Sequence, residues 1–177
     1  MVEITAKQIL QMAPRAKEAE TLAQCINQWA PVFLITSPLR MAHFLAQCAH
    51  ETAGFTLLTE KASGAAYEWN RILGNTQKGD GPRFKGRGLM QLTGRANYHA
   101  YAQSPWCKGD LMSHPEWLAK FPGAVKSAMW YWWSRGLNAY ADIGAIKSIT
   151  YRINGGYNGL ESRKRYYGLA AQALNIK

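Results

Sequence analysis

Residues 37–54 read SPLRMAHFLAQCAHETAG and predict an amphipathic helix that ends beside a carboxylate. Ser37 can cap the free amides of a helix, and Pro38 suits its first position. Apolar side chains then recur every three or four residues on one face, and polar side chains do so on a neighbouring face. Because Gly54 is typical of a helix end, Glu51 is expected to close the polar stripe.

A second glutamate, Glu60, follows nine residues later in a chain of 177 residues with only 11 Asp plus Glu. On one straight helix the two carboxyls would lie about 13 Å apart along the axis. A fold-back at Gly54 could bring them to roughly 6.5–9.5 Å, as in an inverting glycosidase, or to about 5–5.5 Å, as in a retaining one. The pair therefore predicts a glycoside hydrolase, and the alternative is two solvated surface glutamates.

The surroundings of the two glutamates predict different roles. Glu51 ends a helix next to the apolar Phe55, and both features disfavour its charged form. Glu51 is therefore expected to have a raised pKa and to act as the general acid, while Glu60, in a more open segment, is expected to be the general base.

The rest of the pattern predicts a mainly α protein with at most a small β-hairpin. Residues 1–177 are expected to form a single catalytic domain with two lobes around a groove and no separate wall-binding module. Residues 124–133 are expected to be the most buried segment, and the glycine-rich residues 75–88 a loop bordering the groove. Further helices are predicted over residues 5–12, 17–29, 65–73, 95–103, 115–120, 122–136, 143–154 and 160–174.

Composition restricts the partners and the compartment. The net charge of +10 predicts attraction to anionic polymers, but the cations are scattered and match no nucleic-acid-binding spacing, so no nucleic-acid partner is expected. Three cysteines without CxxC spacing predict free thiols made in a reducing compartment. No signal peptide or membrane span is recognisable, so no stable membrane insertion is expected, and a monomer is the default state.

The His50-Glu51 dipeptide begins the HExxH pattern of zinc proteases, but residue 54 is glycine. His43 lies seven residues before His50, and no third ligand accompanies them. No metal or other cofactor is therefore expected, and His50 is assigned to hydrogen bonding around the acid or to core packing.

Residues 86–98 read GRGLMQLTGRANY and match neither nucleotide-binding glycine motif. Their glycines, amides and hydroxyls suit close contact with a polar polymer, with Gln91, Thr93 and Asn97 as the hydrogen-bonding groups. A turn followed by a capped helix would also explain this pattern.

At these residues the chain resembles glycoside hydrolase family 19, the plant-type chitinases, and in particular its phage and prophage endolysins and related bacterial lysozymes. The resemblance rests on residues 50–55 (HETAGF), on the position of Glu60, on residues 84–98 (FKGRGLMQLTGRANY), and on residues 154–156 (NGG) followed by Arg163 and the tyrosines at 166 and 167.

The resemblance implies a lysozyme-like helical fold and an inverting mechanism, with Glu51 as general acid and Glu60 as general base. The base of secreted plant chitinases lies further along the chain, so the assignment of Glu60 follows the endolysin branch, and Glu68 is the fallback. The residues expected to bind substrate are His50, Gln91, Thr93, Asn97, Tyr98, Asn154 and Arg163.

The leading hypothesis is an endolysin that hydrolyses the glycan strands of peptidoglycan and so lyses bacterial cells. It would stay in the host bacterial cytoplasm until a separate membrane-permeabilising protein released it to the periplasm and cell wall. One alternative is a chitinase acting on β-1,4-linked N-acetylglucosamine polymers, against which the missing signal peptide and disulfides argue. Another is a non-enzymatic basic protein that binds the wall or nucleic acid.

Overall fold

The fold is organised around helix α3, Pro38–Glu51, in which residues 41 to 49 are all buried. The computed structural model describes residues 2–176. The Ser37 side chain accepts a hydrogen bond from the Arg40 amide at 3.1 Å, which confirms the predicted cap. A helix buried on every face needs neighbours all round it. Helix α9, Leu160–Ala173, packs along most of its length, and helix α7, Leu137–Asp142, packs against another part.

The described residues form a mainly α structure, as predicted. Strand pairing within residues 2–176 is limited to isolated bridges that join Thr59 to Arg87 and Arg87 to Leu92. Every helix in that range is too short or too polar to cross a bilayer. The other α-helices are α1 (Ala6–Met12), α2 (Ala19–Trp29), α4 (Asp80–Arg83), α5 (Arg95–Ala102), α6 (Gly123–Ser134) and α8 (Ile146–Asn154), and 3-10 segments span Ala65–Tyr67, Arg71–Leu73 and Pro115–Ala119.

Helix α6 contains the predicted buried segment, with one exception. Residues 124 to 132 are all buried, and Trp132 packs edge-on against Phe44 with ring centroids 5.6 Å apart. Trp133 remains 44% exposed and lies against Trp106. The apolar pattern therefore identified the core helix but extended it one residue too far.

The predicted helix over residues 65–73 is wrong, because the chain breaks it into two 3-10 turns. Glu68 is extended and Trp69 adopts a left-handed φ of +59°. The Asn70 side chain then accepts hydrogen bonds from the amides of Ile72 and Leu73 and starts a new turn. Local side-chain capping competes here with continuous helical bonding.

Two further predicted boundaries need correction. The loop predicted over residues 75–88 contains the short helix α4. The helix predicted to begin at Ile143 begins instead at Ile146, because Gly144 takes a left-handed φ of +67° and leaves Ile143 exposed.

The polar stripe of α3 faces helix α9 and not solvent. His43 stacks on Tyr167 with ring centroids 4.3 Å apart, and Gln47 accepts a hydrogen bond from Arg163. His43 and Gln47 are both buried. The spacing thus identified a polar face correctly, but that face is an interface between two helices.

Candidate active site

A left-handed turn follows Glu51, the last residue of α3, and reverses the chain. The Gly54 amide donates to the Ala49 carbonyl at 2.7 Å, and the Ala53 amide donates to the carbonyl three residues before it at 3.3 Å. These two bonds form a Schellman motif, with Ala53 in the left-handed position that glycine usually occupies. Ala53, Gly54 and Phe55 have φ values of +50°, +74° and +60°. The predicted helix break is therefore confirmed, and Glu60 lies beyond it on a separate segment.

The Glu51 carboxylate forms an ion pair with the buried Arg163. One terminal nitrogen of Arg163 donates a hydrogen bond to Glu51 Oε1 at 2.5 Å, and the other donates to Gln47 Oε1 at 2.5 Å. The Arg163 side chain is 1% exposed, whereas the Glu51 side chain is 20% exposed. The structure thus places Arg163 beneath the surface, where its guanidinium orients Glu51, and its contact with substrate stays a prediction.

His50 packs against the start of α9. Its Nδ1 lies 3.0 Å from Ser162 Oγ, and a Cβ on Gly159 would overlap its ring. Burial lowers the pKa of His50, and the nearby charge of Arg163 acts in the same direction. Of the two roles considered for His50, packing and hydrogen bonding near the acid describe its position better than substrate contact.

Glu60 lies on an extended segment that pairs with the glycine-rich loop. Its amide donates to the Gly86 carbonyl at 3.0 Å. Its Oε2 accepts a hydrogen bond from the Tyr67 hydroxyl at 3.0 Å, while Oε1 is buried without a hydrogen-bond partner among residues 2–176. Burial raises the pKa of Tyr67, and its hydrogen bond to Glu60 adds to the effect. One carboxylate oxygen is thus fixed and the other uncommitted.

Gly86 lets three oxygen-bearing side chains converge. A Cβ at this position would lie 3.0 Å from Gln91 Oε1, 3.2 Å from Glu60 Oε2 and 3.3 Å from Thr93 Oγ1. Gln91 has a φ of +48°, its Nε2 donates to the Gly88 carbonyl at 2.9 Å, and its own carbonyl accepts from the Thr93 hydroxyl at 2.8 Å. The structure therefore brings Gln91 and Thr93 together with Glu60.

The next two predicted contact residues differ in accessibility. Asn97 is partly exposed, and its Nδ2 donates to the Thr93 carbonyl at 2.8 Å, so its amide orientation is fixed. Tyr98 is fully buried; its hydroxyl donates to the Lys85 carbonyl at 2.7 Å and accepts from Arg87 at 3.0 Å. Burial raises the pKa of Tyr98 to about 12. In this structure Tyr98 supports the loop from the core, and its contact with a sugar stays a prediction.

The remaining predicted residues, Asn154 and Glu68, form no hydrogen bond with Glu51 or Glu60 among residues 2–176. Asn154 is exposed at the end of α8, where Gly155 takes the left-handed position. Glu68, the fallback base, accepts from the amides of Gly79 at 2.6 Å and Gly81 at 2.8 Å. Both of its oxygens are thus engaged in holding the start of α4, which makes it a poor proton acceptor.

Sequence reasoning missed Gln47, which shares the guanidinium of Arg163 with Glu51, and Tyr67, which donates to Glu60. Gln47 lies four residues before Glu51 on the same helical face, so its spacing could have indicated a shared partner. Tyr67 lies in a 3-10 turn that the sequence pattern did not predict, and its contact with Glu60 depends on how the chain folds back.

A mainly helical fold with one glutamate at a helix end and another on the returning chain is typical of lysozyme-like glycoside hydrolases. The chain is similar to a glycosyl hydrolase family 19 domain-containing protein of Haemophilus influenzae, with 32% identity over 180 residues that cover 82% of this chain and 80% of that protein. The chain therefore belongs to glycoside hydrolase family 19 and is a glycoside hydrolase.

Other comparisons agree with this assignment. An acidic 27 kDa endochitinase of Solanum lycopersicum is 37% identical over 93 residues, which cover 52% of this chain and 35% of the plant protein. The crystal structure of chitinase C from Streptomyces griseus superposes with a TM-score of 0.78 and 23% identity, over 97% of this chain and 92% of that one, and supports the fold alone. No protein-family model matches the chain.

Proposed function

We propose that the protein is an endolysin that hydrolyses the glycan strands of peptidoglycan, with Glu51 as general acid and Glu60 as general base. The observation that carries the proposal is the buried Oε1 of Glu60, which has no hydrogen-bond partner in the described part of the chain. A general base needs a carboxylate oxygen that can accept a proton from the attacking water. Tyr67 holds the other oxygen and so fixes the direction of the free one.

The two carboxyls act on opposite sides of the scissile bond. Glu51 enters the reaction in its protonated form, is kept in place by Arg163, and gives its proton to the leaving glycosidic oxygen. Glu60 takes a proton from a water that attacks the anomeric carbon from the other face, which inverts its configuration. The Gln91 amide and the Thr93 hydroxyl lie beside Glu60 and orient the water and the sugar by hydrogen bonds.

The charge of the chain favours peptidoglycan over chitin. Its 21 Lys plus Arg exceed its 11 Asp plus Glu, and peptidoglycan carries carboxylates on its peptide stems whereas chitin is neutral. Opposite charge concentrates an enzyme on a polymer surface. The chain is basic, in contrast to the tomato relative, which is named an acidic endochitinase.

A chitinase is the second candidate, because the plant relatives are named endochitinases and the solved structures are named chitinases. Purified Gram-negative sacculi and chitohexaose separate the two candidates. We expect higher kcat/KM on sacculi, measured from newly formed reducing ends, and faster cleavage of chitohexaose would favour the chitinase.

The catalytic assignment is tested with Glu51→Gln and Glu60→Gln, and with Glu161→Gln as a control on an exposed glutamate. Each of the first two is expected to lower kcat by roughly 10²–10⁴-fold, the usual effect of losing a proton-transfer group, and the control is expected to match the parent. If Glu68→Gln shows the activity loss that we expect of Glu60→Gln, the general base is Glu68 and not Glu60. Proton NMR of early products is expected to detect the α-anomer released from a β-linked substrate, and a β-anomer would rule out inversion.

In the cell, we propose that this monomeric enzyme is made in the host bacterial cytoplasm and reaches the wall through a separate membrane-permeabilising protein. Its thiols Cys25, Cys48 and Cys107 are free, which is typical of proteins made in a reducing compartment. Expression in a Gram-negative host is expected to lyse cells only together with such a protein. Lysis without it would contradict this route.

A further inference from the structure

An open pocket of about 570 Å³ lies where helices α7 and α8 meet and contains two arginines. We call it the arginine–tyrosine pocket. It is lined by Arg135, Tyr140, Ser148, Tyr151, Arg152 and Tyr157.

Both guanidiniums lie over tyrosine rings and lack a carboxylate partner. The Arg135 guanidinium carbon is 3.8 Å from the ring centroid of Tyr131, and that of Arg152 is 4.5 Å from the centroid of Tyr140, whose hydroxyl also accepts from Arg152. Neither arginine forms an ion pair within residues 2–176, although five ion pairs occur elsewhere in that range. Stacking fixes the plane of a guanidinium and leaves N–H donors at its edge for a carboxylate.

Exposed aromatic rings complete the pocket. Tyr151 and Tyr157 are 53% and 59% exposed, and their ring centroids lie 5.6 Å apart. Tyr157 follows directly on the turn at Asn154, which the family resemblance assigns to the groove. Rings of this kind offer flat apolar surfaces to a sugar or to a peptide.

Tyr131 connects the pocket to the catalytic residues. Its ring carries Arg135, and its hydroxyl donates to the Ile153 carbonyl at 3.5 Å, next to the turn at residue 154. Gly159, two residues after Tyr157, packs against the ring of His50, the neighbour of Glu51. A glycan bound at Glu51 therefore has the arginine–tyrosine pocket within reach of its branches.

We propose that the arginine–tyrosine pocket binds a carboxylate of the muramyl branch of peptidoglycan and thereby selects this polymer over chitin. The inference rests on the proposed function. Chitin has no carboxylate, whereas a muramyl residue carries carboxylates on its peptide stem or, once the stem is removed, on its lactyl group. Arg135 and Arg152 are the specificity-determining residues.

The test uses Arg135→Gln/Arg152→Gln and a matched control, Arg165→Gln. Arg165 is exposed, its guanidinium carbon lies 4.9 Å from the Tyr166 ring centroid, and it too forms no ion pair among residues 2–176. The substrates are intact sacculi, glycan strands stripped of their stems by an amidase, and chitohexaose. The double variant is expected to lose about tenfold in kcat/KM on sacculi, equivalent to about 1.4 kcal/mol, and to match the parent on chitohexaose.

The outcomes separate the possibilities. A loss that persists on stripped strands assigns the lactyl carboxylate as ligand, and a loss confined to intact sacculi assigns the stem. No loss on sacculi, an equal loss on chitohexaose, or an equal loss in Arg165→Gln overturns the inference while the proposed function stands. A parent enzyme that cleaves chitohexaose but leaves sacculi intact overturns the proposed function and this inference together.

Discussion

Replacing His43 by phenylalanine is expected to make the free energy of unfolding less sensitive to acid pH. His43 is 1% exposed, stacks on Tyr167, and has no hydrogen-bond partner for either ring nitrogen among residues 2–176. Burial lowers its pKa from 6.5 to about 4. Phenylalanine keeps a ring in the stack and cannot take up a proton.

The magnitude follows from the difference between the folded and unfolded pKa values. Between pH 6.5 and pH 4 the unfolded chain binds a proton at His43 that the folded protein does not. The stabilisation is therefore fully present above pH 6.5 and is lost as the pH falls through this window, by about 3 kcal/mol of unfolding free energy. In His43→Phe this part of the loss is absent.

Urea denaturation followed by tryptophan fluorescence at pH 7 and pH 4 measures the effect. The parent is expected to lose about 3 kcal/mol more between the two pH values than His43→Phe. His50, whose pKa is also lowered by burial, and the carboxylates titrate in both proteins and cancel in the comparison. His99→Gln, at an exposed histidine, is the control and is expected to follow the parent. Parallel pH profiles for parent and His43→Phe would refute the reasoning.

Three further substitutions test the site and its supporting structure. Arg163→Lys is expected to lower kcat by about tenfold, because one ammonium cannot reproduce the fork that orients Glu51, and a parent-like kcat would contradict the positioning role. Gly86→Ala is expected to lower kcat/KM by at least about tenfold, because the added Cβ would displace Glu60 and its neighbours. The circular dichroism spectrum is expected to stay unchanged. Full activity would show that this close packing is not required for catalysis. Asp80→Asn is expected to lower the unfolding free energy by about 2 kcal/mol, because it breaks the ion pair between the buried Asp80 and Arg95. This value is below that of a fully buried pair, because the Arg95 guanidinium is partly exposed to solvent. An unchanged urea midpoint would contradict it.

The sequence predicted the helices well where their signals are local. Ser37 and Pro38 mark the start of α3, and the Thr5 capping box marks the start of α1, because each cap depends on residues three or four positions away. The helix prediction for residues 65–73 was wrong for a related reason. Asn70 offers its own side chain to the backbone, and this competing local bond interrupts a pattern that otherwise looks helical.

The candidate site was predicted unevenly. Glu51 and Glu60 stood out by scarcity and spacing, and Gln91 and Thr93 by the character of their segment. An amphipathic tyrosine in a polar motif can face either the groove or the core, and Tyr98 is buried with its hydroxyl donating to the Lys85 carbonyl. Spacing along the chain carries no information on that choice.

What the sequence determined by itself is the helical class, the start of α3 at Pro38, a helix break at Gly54 and the family motif. The helix start and the helix break depend on backbone preferences and capping bonds between near neighbours. Only the tertiary structure decided that His43 and Gln47 of α3 are buried, that Arg163 holds Glu51, and that Tyr67 holds Glu60. Arg163 lies 112 residues after Glu51, and a contact of that range forms only when α3 and α9 pack together.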